Sequence, residues 1–139
     1  MRPSAALSLT ALLLAITGLL PAAEVAVVNP SVNSSAFTTD QIKDLLRGKR
    51  MAWDDGSKVV VVLAREQSAD AALMRFLDLN SQQFRIAWKK LVFTGKATMP
   101  EQVDTDEALV DYVARTPGAI GVVDKDKVKD GVKVVTLQQ

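Results

Sequence analysis

The chain has 139 residues, with 17 Lys plus Arg against 16 Asp plus Glu, and contains neither cysteine nor histidine. That length suits one domain rather than two. Lack of cysteine excludes disulfides, thiolate nucleophiles and Cys-ligated metals. Lack of histidine removes the commonest general base and metal ligand, and with it any His-dependent hydrolase triad.

At the N-terminus, Arg2 supplies a positive charge, Ala5 to Leu20 is apolar apart from small and hydroxyl residues, and Pro21-Ala22-Ala23 follows. The pattern predicts a secretory signal peptide over residues 1–23, cleaved after Ala22 or Ala23. The third residue back, Leu20 or Pro21, is not the small one such sites prefer. The apolar run is shorter than the roughly 20 residues of a membrane span, and an uncleaved anchor is the competing reading. A lipoprotein anchor would need cysteine. Without Arg2, sixteen residues of each sign remain, so residues 24–139 are formally neutral. This gives no electrostatic argument for nucleic acid or an acidic membrane.

The single domain expected over 24–139 begins with a short strand, Val25 to Val28, ending at Asn29-Pro30. A Ser- and Asn-rich loop follows. Thr38 and Gln41 form a capping-box pattern, Ile42, Leu45 and Leu46 give an apolar face, and Gly48 supplies the stop. The basic run Arg47-Gly48-Lys49-Arg50 reads as a solvated helix end, where cations are favoured. Asp54-Asp55-Gly56-Ser57 is a turn. Val59 to Leu63 is a continuous apolar run, as expected for a strand buried on both faces.

After that strand comes the loop Ala64-Arg65-Glu66-Gln67-Ser68. Ser68 is the expected N-cap of a helix whose apolar face is Ala69, Ala72, Leu73, Phe76 and Leu77. A helix start at the carboxyl end of a buried strand presents backbone N–H groups and partial positive charge, and open α/β sheets bind ligands in this crevice. Arg65 would add a fork of donors for a phosphate-like oxyanion. The competing reading is an ordinary capped helix start with solvated loop charges, since no Gly-rich phosphate motif is present. Thr94-Gly95-Lys96 is only a fragment of such a motif.

A further helix is expected from Ser81, with Phe84, Ala87, Trp88, Leu91 and Val92 at helical spacing and Trp88 in the core. Phe93 to Pro100 reads as a loop. Another helix runs from about Thr105 to Arg115, with Asp104, Asp106 and Glu107 at its start, where acids are favoured. Pro117-Gly118 turns into a strand, Ala119 to Val123, and a polar connection leads to a last strand, Lys133 to Leu137. The order β-α-β-α-α-α-β-β predicts an α/β fold with a mainly parallel or mixed sheet and flanking helices. No pair of carboxylates is required to converge, so no catalytic constellation, metal site or cofactor is expected.

Five segments together resemble the periplasmic phosphate-binding proteins, the substrate-binding components of ABC phosphate importers. They are Asn29-Pro30, Ile42 to Lys49 with Trp53-Asp54-Asp55-Gly56, Arg65-Glu66-Gln67-Ser68, Trp88 with Phe93-Thr94-Gly95, and Thr116 to Val123. The third lies where that family has Arg-x-x-Ser-Gly-Thr before a helix, with Ala69-Asp70 here in place of Gly-Thr. The last resembles the family's P-G-A-I-G-Y-V strand, with Val122 replacing its Tyr. The resemblance implies one lobe of a type 2 periplasmic-binding-protein fold. It also implies an anion site formed by Arg65, Ser68 and the backbone N–H groups of Ala69 and Asp70. Inorganic phosphate or a related oxyanion would be the ligand. An ABC permease or another periplasmic protein would be the partner, and pairing into a homodimer would let two lobes close on one anion. The alternative is a protein-interaction module that keeps this fold and has lost the ligand.

Overall fold

The computed structural model describes residues 23–34 and 36–138. The predicted signal peptide, Ala23 excepted, lies outside the described residues. The elements are β1 (Glu24–Val28), β2 (Ala36–Thr38), α1 (Thr39–Leu46), β3 (Val60–Ala64), α2 (Gln67–Leu77), α3 (Ser81–Phe93), β4 (Glu101–Val103), α4 (Asp106–Arg115), β5 (Ala119–Asp124), β6 (Lys133–Val134) and β7 (Thr136–Gln138).

The main sheet has the order β4-β3-β5-β1-β6, and β2 pairs with β7 in a small parallel sheet of its own. β3 runs parallel to both β4 and β5, whereas β1 is antiparallel to both β5 and β6. The sheet is therefore mixed, as one form of the α/β expectation held. A mainly parallel sheet is not what forms, because apolar runs report that both faces are covered and not which way a strand points.

Both faces are covered. Alternation along the strands sends Ala26, Val28, Val61, Ile120 and Val122 into a core with α1, α2 and α3. It sends Val27, Val62, Ala119 and Val123 into a second core with α4. This is the physical reason the Val-rich strands lack a polar period.

Turn chemistry fixes the joints. Thr38 and Gln41 cap α1 reciprocally, as expected from the sequence. Just past the end of α1, Gly48 has a positive φ of 74° that lets the chain pass the Trp88 ring, where a Cβ would come within 2.8 Å. Trp88 is core, and its indole N–H donates to the Leu46 carbonyl at 3.1 Å. Two short strands, β2 and β4, escape the sequence reading, and the expected last strand divides at Val135 into β6 and β7. α3 includes Phe93, which the sequence had placed in the following loop.

Candidate functional site

β3 and β4 are parallel neighbours, in register Val62↔Glu101 to Ala64↔Val103. Each leads directly into a helix, so the starts of α2 and α4 lie side by side at the carboxyl edge of the sheet. The ladder continues past the strands, with Arg65 N–H donating to the Val103 carbonyl at 2.9 Å and Glu66 N–H to that of Asp104 at 3.0 Å.

The two helix starts are then interlocked by side chains. Glu66 accepts a hydrogen bond from the Asp106 N–H at 2.9 Å, and Ser68 Oγ donates to Asp106 Oδ2 at 2.8 Å. Glu66, just before α2, thus supplies a carboxylate to the start of α4, and Asp106, the first residue of α4, supplies one to the Ser68 hydroxyl in α2. Asp106 is only 1% exposed, and its Oδ1 has no partner among the described residues. Burial pushes its carboxyl above the ordinary value, and the charge of Glu66 adds to this, while the Ser68 hydrogen bond works against it.

Ser68 is not the N-cap. The cap position is Glu66, which makes no side-chain cap to its own helix. Ser68 falls in the first turn because Arg65 and Glu66 stay tied to β4 and the helix begins as soon as that ladder ends. The N–H groups of Ala69 and Asp70 both donate to the Glu66 carbonyl at 3.1 Å, and Ala69 is buried in the core with α4. Arg65 pairs with Asp104 at 2.9 Å, in a bridge whose side chains are 65% and 82% exposed.

On the other flank of α2 is an open cavity of about 380 Å³. Arg65 and Asp70 line it, together with Gln67, Ser81, Arg85 and Gln102, over a floor that includes Leu63 and Phe84. Ser81 Oγ donates to Asp70 Oδ2 at 2.8 Å. The charged lining is two guanidinium groups and one carboxylate, a net positive wall in a formally neutral domain. Of the four residues expected from the sequence, Arg65 and Asp70 reach this cavity, whereas Ser68 turns to Asp106 and Ala69 to the core.

Sequence reasoning missed Arg85, Ser81 and Gln102. α2 ends on the left-handed Asp78 (φ 54°, ψ 46°), and Leu79 with the extended Asn80 carries the chain back alongside α2, so that Ser81 meets Asp70. The one available signal was the Asn80–Gln83 capping box, which fixes where α3 begins. Among the described residues no cluster of acidic, His or Cys side chains could hold a metal ion, and no helix is long and apolar enough to cross a membrane.

No family model matches the sequence, and no curated protein matches it. Solved structures do share the fold. An ABC-type phosphate transport receptor from Vibrio cholerae superposes with a TM-score of 0.62 at 15% identity, over 82% of this chain and 45% of that one. A protein from Clostridium perfringens, assigned as a phosphate ABC transporter substrate-binding protein and solved with bound phosphate, gives 0.64 at 19% identity, over 82% and 44%. PstS from Borrelia burgdorferi gives 0.56 at 12% identity, over 84% and 47%. These neighbours are binding proteins rather than enzymes, and the chain spans less than half the length of each.

Proposed function

We propose that this chain binds an oxyanion, inorganic phosphate first among them, in the cavity between the starts of α2 and α3, and that it does so as a periplasmic or secreted protein. One observation carries the reading: Arg65 and Arg85, from different elements, line one cavity beside the carboxyl end of a parallel strand pair. Guanidinium groups there offer planar, charge-assisted donors, and the first turn of α2 adds its dipole. The Arg65–Asp104 bridge is exposed, so exchanging it for an anion costs little. Gln67 offers a neutral donor, whereas the Ser81 hydroxyl proton is held by Asp70. Asp70, standing where the resembling family has Thr, is an acceptor: it disfavours a fully ionised oxyanion such as sulfate. Phosphate keeps a proton at neutral pH and can donate it to a carboxylate.

This reading moves the site from the one first expected. The Ser68 hydroxyl and the N–H groups of Ala69 and Asp70 have internal partners, so Arg85 takes their place beside Arg65. The leader-like residues 1–23 and the fold of the neighbours support a location outside the cytoplasm. An ABC permease as partner, and a homodimer closing two lobes on one anion, belong to the same reading.

A second reading is favoured by the Glu66–Asp106–Ser68 lock. Where two helix starts converge, the protein supplies its own carboxylates, as an interaction module that has dispensed with a ligand would. Titration calorimetry with phosphate, and with sulfate as control, decides between them. The expected outcome is saturable phosphate binding, preferred over sulfate and weakened about ten- to a hundredfold by either Arg65→Ala or Arg85→Ala. Absence of binding in the millimolar range would overturn the oxyanion reading and leave the interaction module, and binding indifferent to both arginines would overturn this cavity as its site.

A further inference from the structure

We propose that the outer face of α3 and the loop after it form a docking surface for an anionic lipid leaflet. Ile86, Lys89, Lys90 and Phe93 recur at spacings of three and four and so share one helical face. Phe84 and Trp88 hold the opposite face in the core. Ile86 is 59% exposed, Phe93 92%, and Met99 in the loop 56%. Phe93 and Met99 border the same shallow depression as Lys89 and Lys90. Single exposed apolar side chains are ordinary, but a run of them interleaved with lysines is an interfacial pattern.

The charge is local. Between Asp78 and Glu101 the sequence has no acid, yet it holds Arg85, Lys89, Lys90 and Lys96. Lys90 and Lys96 also line a second cavity, of about 360 Å³, with Arg47 and Lys49, so the cationic surface continues toward the end of α1. The net charge of only +1 on the chain as a whole conceals this concentration.

An acidic protein would complement the lysines equally well. The apolar side chains favour lipid, because Phe93 is 92% exposed on the outer face of the helix and the depression it borders is too shallow to enclose it. A projecting ring can enter the boundary between headgroups and acyl chains, while lysine stems lie along the apolar surface and their ammonium groups reach lipid phosphates. This surface lies on a different face of α3 from the two core rings and stands independently of the oxyanion reading.

The absence of native cysteine allows one reporter. An environment-sensitive fluorophore is attached to Met99→Cys in the full chain as recovered from cells, and to Asp130→Cys, an exposed loop position, as control. A reading at position 99 separates this face from any binding by the apolar residues at the N-terminus. Vesicles of equal parts phosphatidylglycerol and phosphatidylcholine are compared with phosphatidylcholine alone. The expected result is a blue shift at position 99 with the anionic vesicles only, reduced by high salt, and no shift at position 130. Lys89→Glu with Lys90→Glu should weaken partitioning at least about 25-fold, since each basic residue near the surface contributes roughly fivefold. Phe93→Ala should weaken it about tenfold or more. These positions are exposed, and circular dichroism checks that the variants fold. No shift at position 99, an equal shift at both positions, or a shift unaffected by both variants would overturn the proposal and leave the stripe to an acidic protein partner.

Discussion

Asp106 is the residue whose chemistry departs most from its position in the sequence. As an acid at a helix start it reads as an exposed dipole partner, and its neighbours Asp104 and Glu107 are indeed exposed. Nothing in the local pattern says that Asp106 alone turns inward, because the cause is Ser68, 38 positions away. Its raised carboxyl pKa has a definite sign in stability. The folded state holds the proton more tightly than the unfolded chain does, so this contribution is fully present below the ordinary value of 3.8 and is lost as pH rises through the folded value. At neutral pH the buried charge is a penalty. Asp106→Asn, which keeps an acceptor for Ser68, is expected to raise neutral-pH stability and to flatten the fall on going from acid toward neutral pH. Urea midpoints across that range measure it, and an unchanged slope would count against the assignment. Asn29 shows the same limit of local reading. Its resemblance to a family segment was legible. Its work was not: the buried amide donates to the Val113 and Ala114 carbonyls at 2.8 and 3.1 Å, closing the end of α4 from across the sheet.

At the scale of elements, helices were read more accurately than strands, for a physical reason. α1, α3 and α4 announce themselves by caps within a few residues of one another, Thr38 with Gln41, Asn80 with Gln83, and Thr105. β2 and β4 are three residues each, too short for a period, and exist because a partner strand is already in place. α2 is the instructive exception. Its start was expected at Ser68 because the side chain suits a cap, but its boundary is set by Arg65 and Glu66 continuing the ladder with β4. The start of α4 likewise borrows its acceptor from Glu66. Glu66→Ala should therefore destabilise α4 although the substitution lies outside it. The expected cost is about 1 kcal/mol by denaturant titration, with faster amide exchange at Asp106 and the residues just after it. Faster exchange confined to α2 would contradict this arrangement. The cavity arginines follow the same logic. Arg65 was legible from its strand-to-helix loop, while Arg85 needed the return of the chain through Leu79 and Asn80.

For the whole molecule, the central fact is that β3, β5 and β1 are covered on both sides while β4 and β6 close the sheet. Hydrogen exchange should rank the strands accordingly, slowest at Val61, Val27 and Ile120 and fastest at β2, β7 and β6. Uniform protection across the sheets would argue against two cores meeting on one sheet. The ranking has a practical consequence. Residues Val59 to Leu63 form a short uncharged segment of high β-propensity without proline, which is the composition that stacks into cross-β fibrils. In the native protein this segment has β5 on one side and β4 on the other, and the outermost strands, of three and two residues, offer an incoming chain little to pair with. Shelf life in solution then depends on how often the molecule opens, so a destabilised variant should announce itself first as turbidity and lost soluble yield, before any change in its folded structure can be seen.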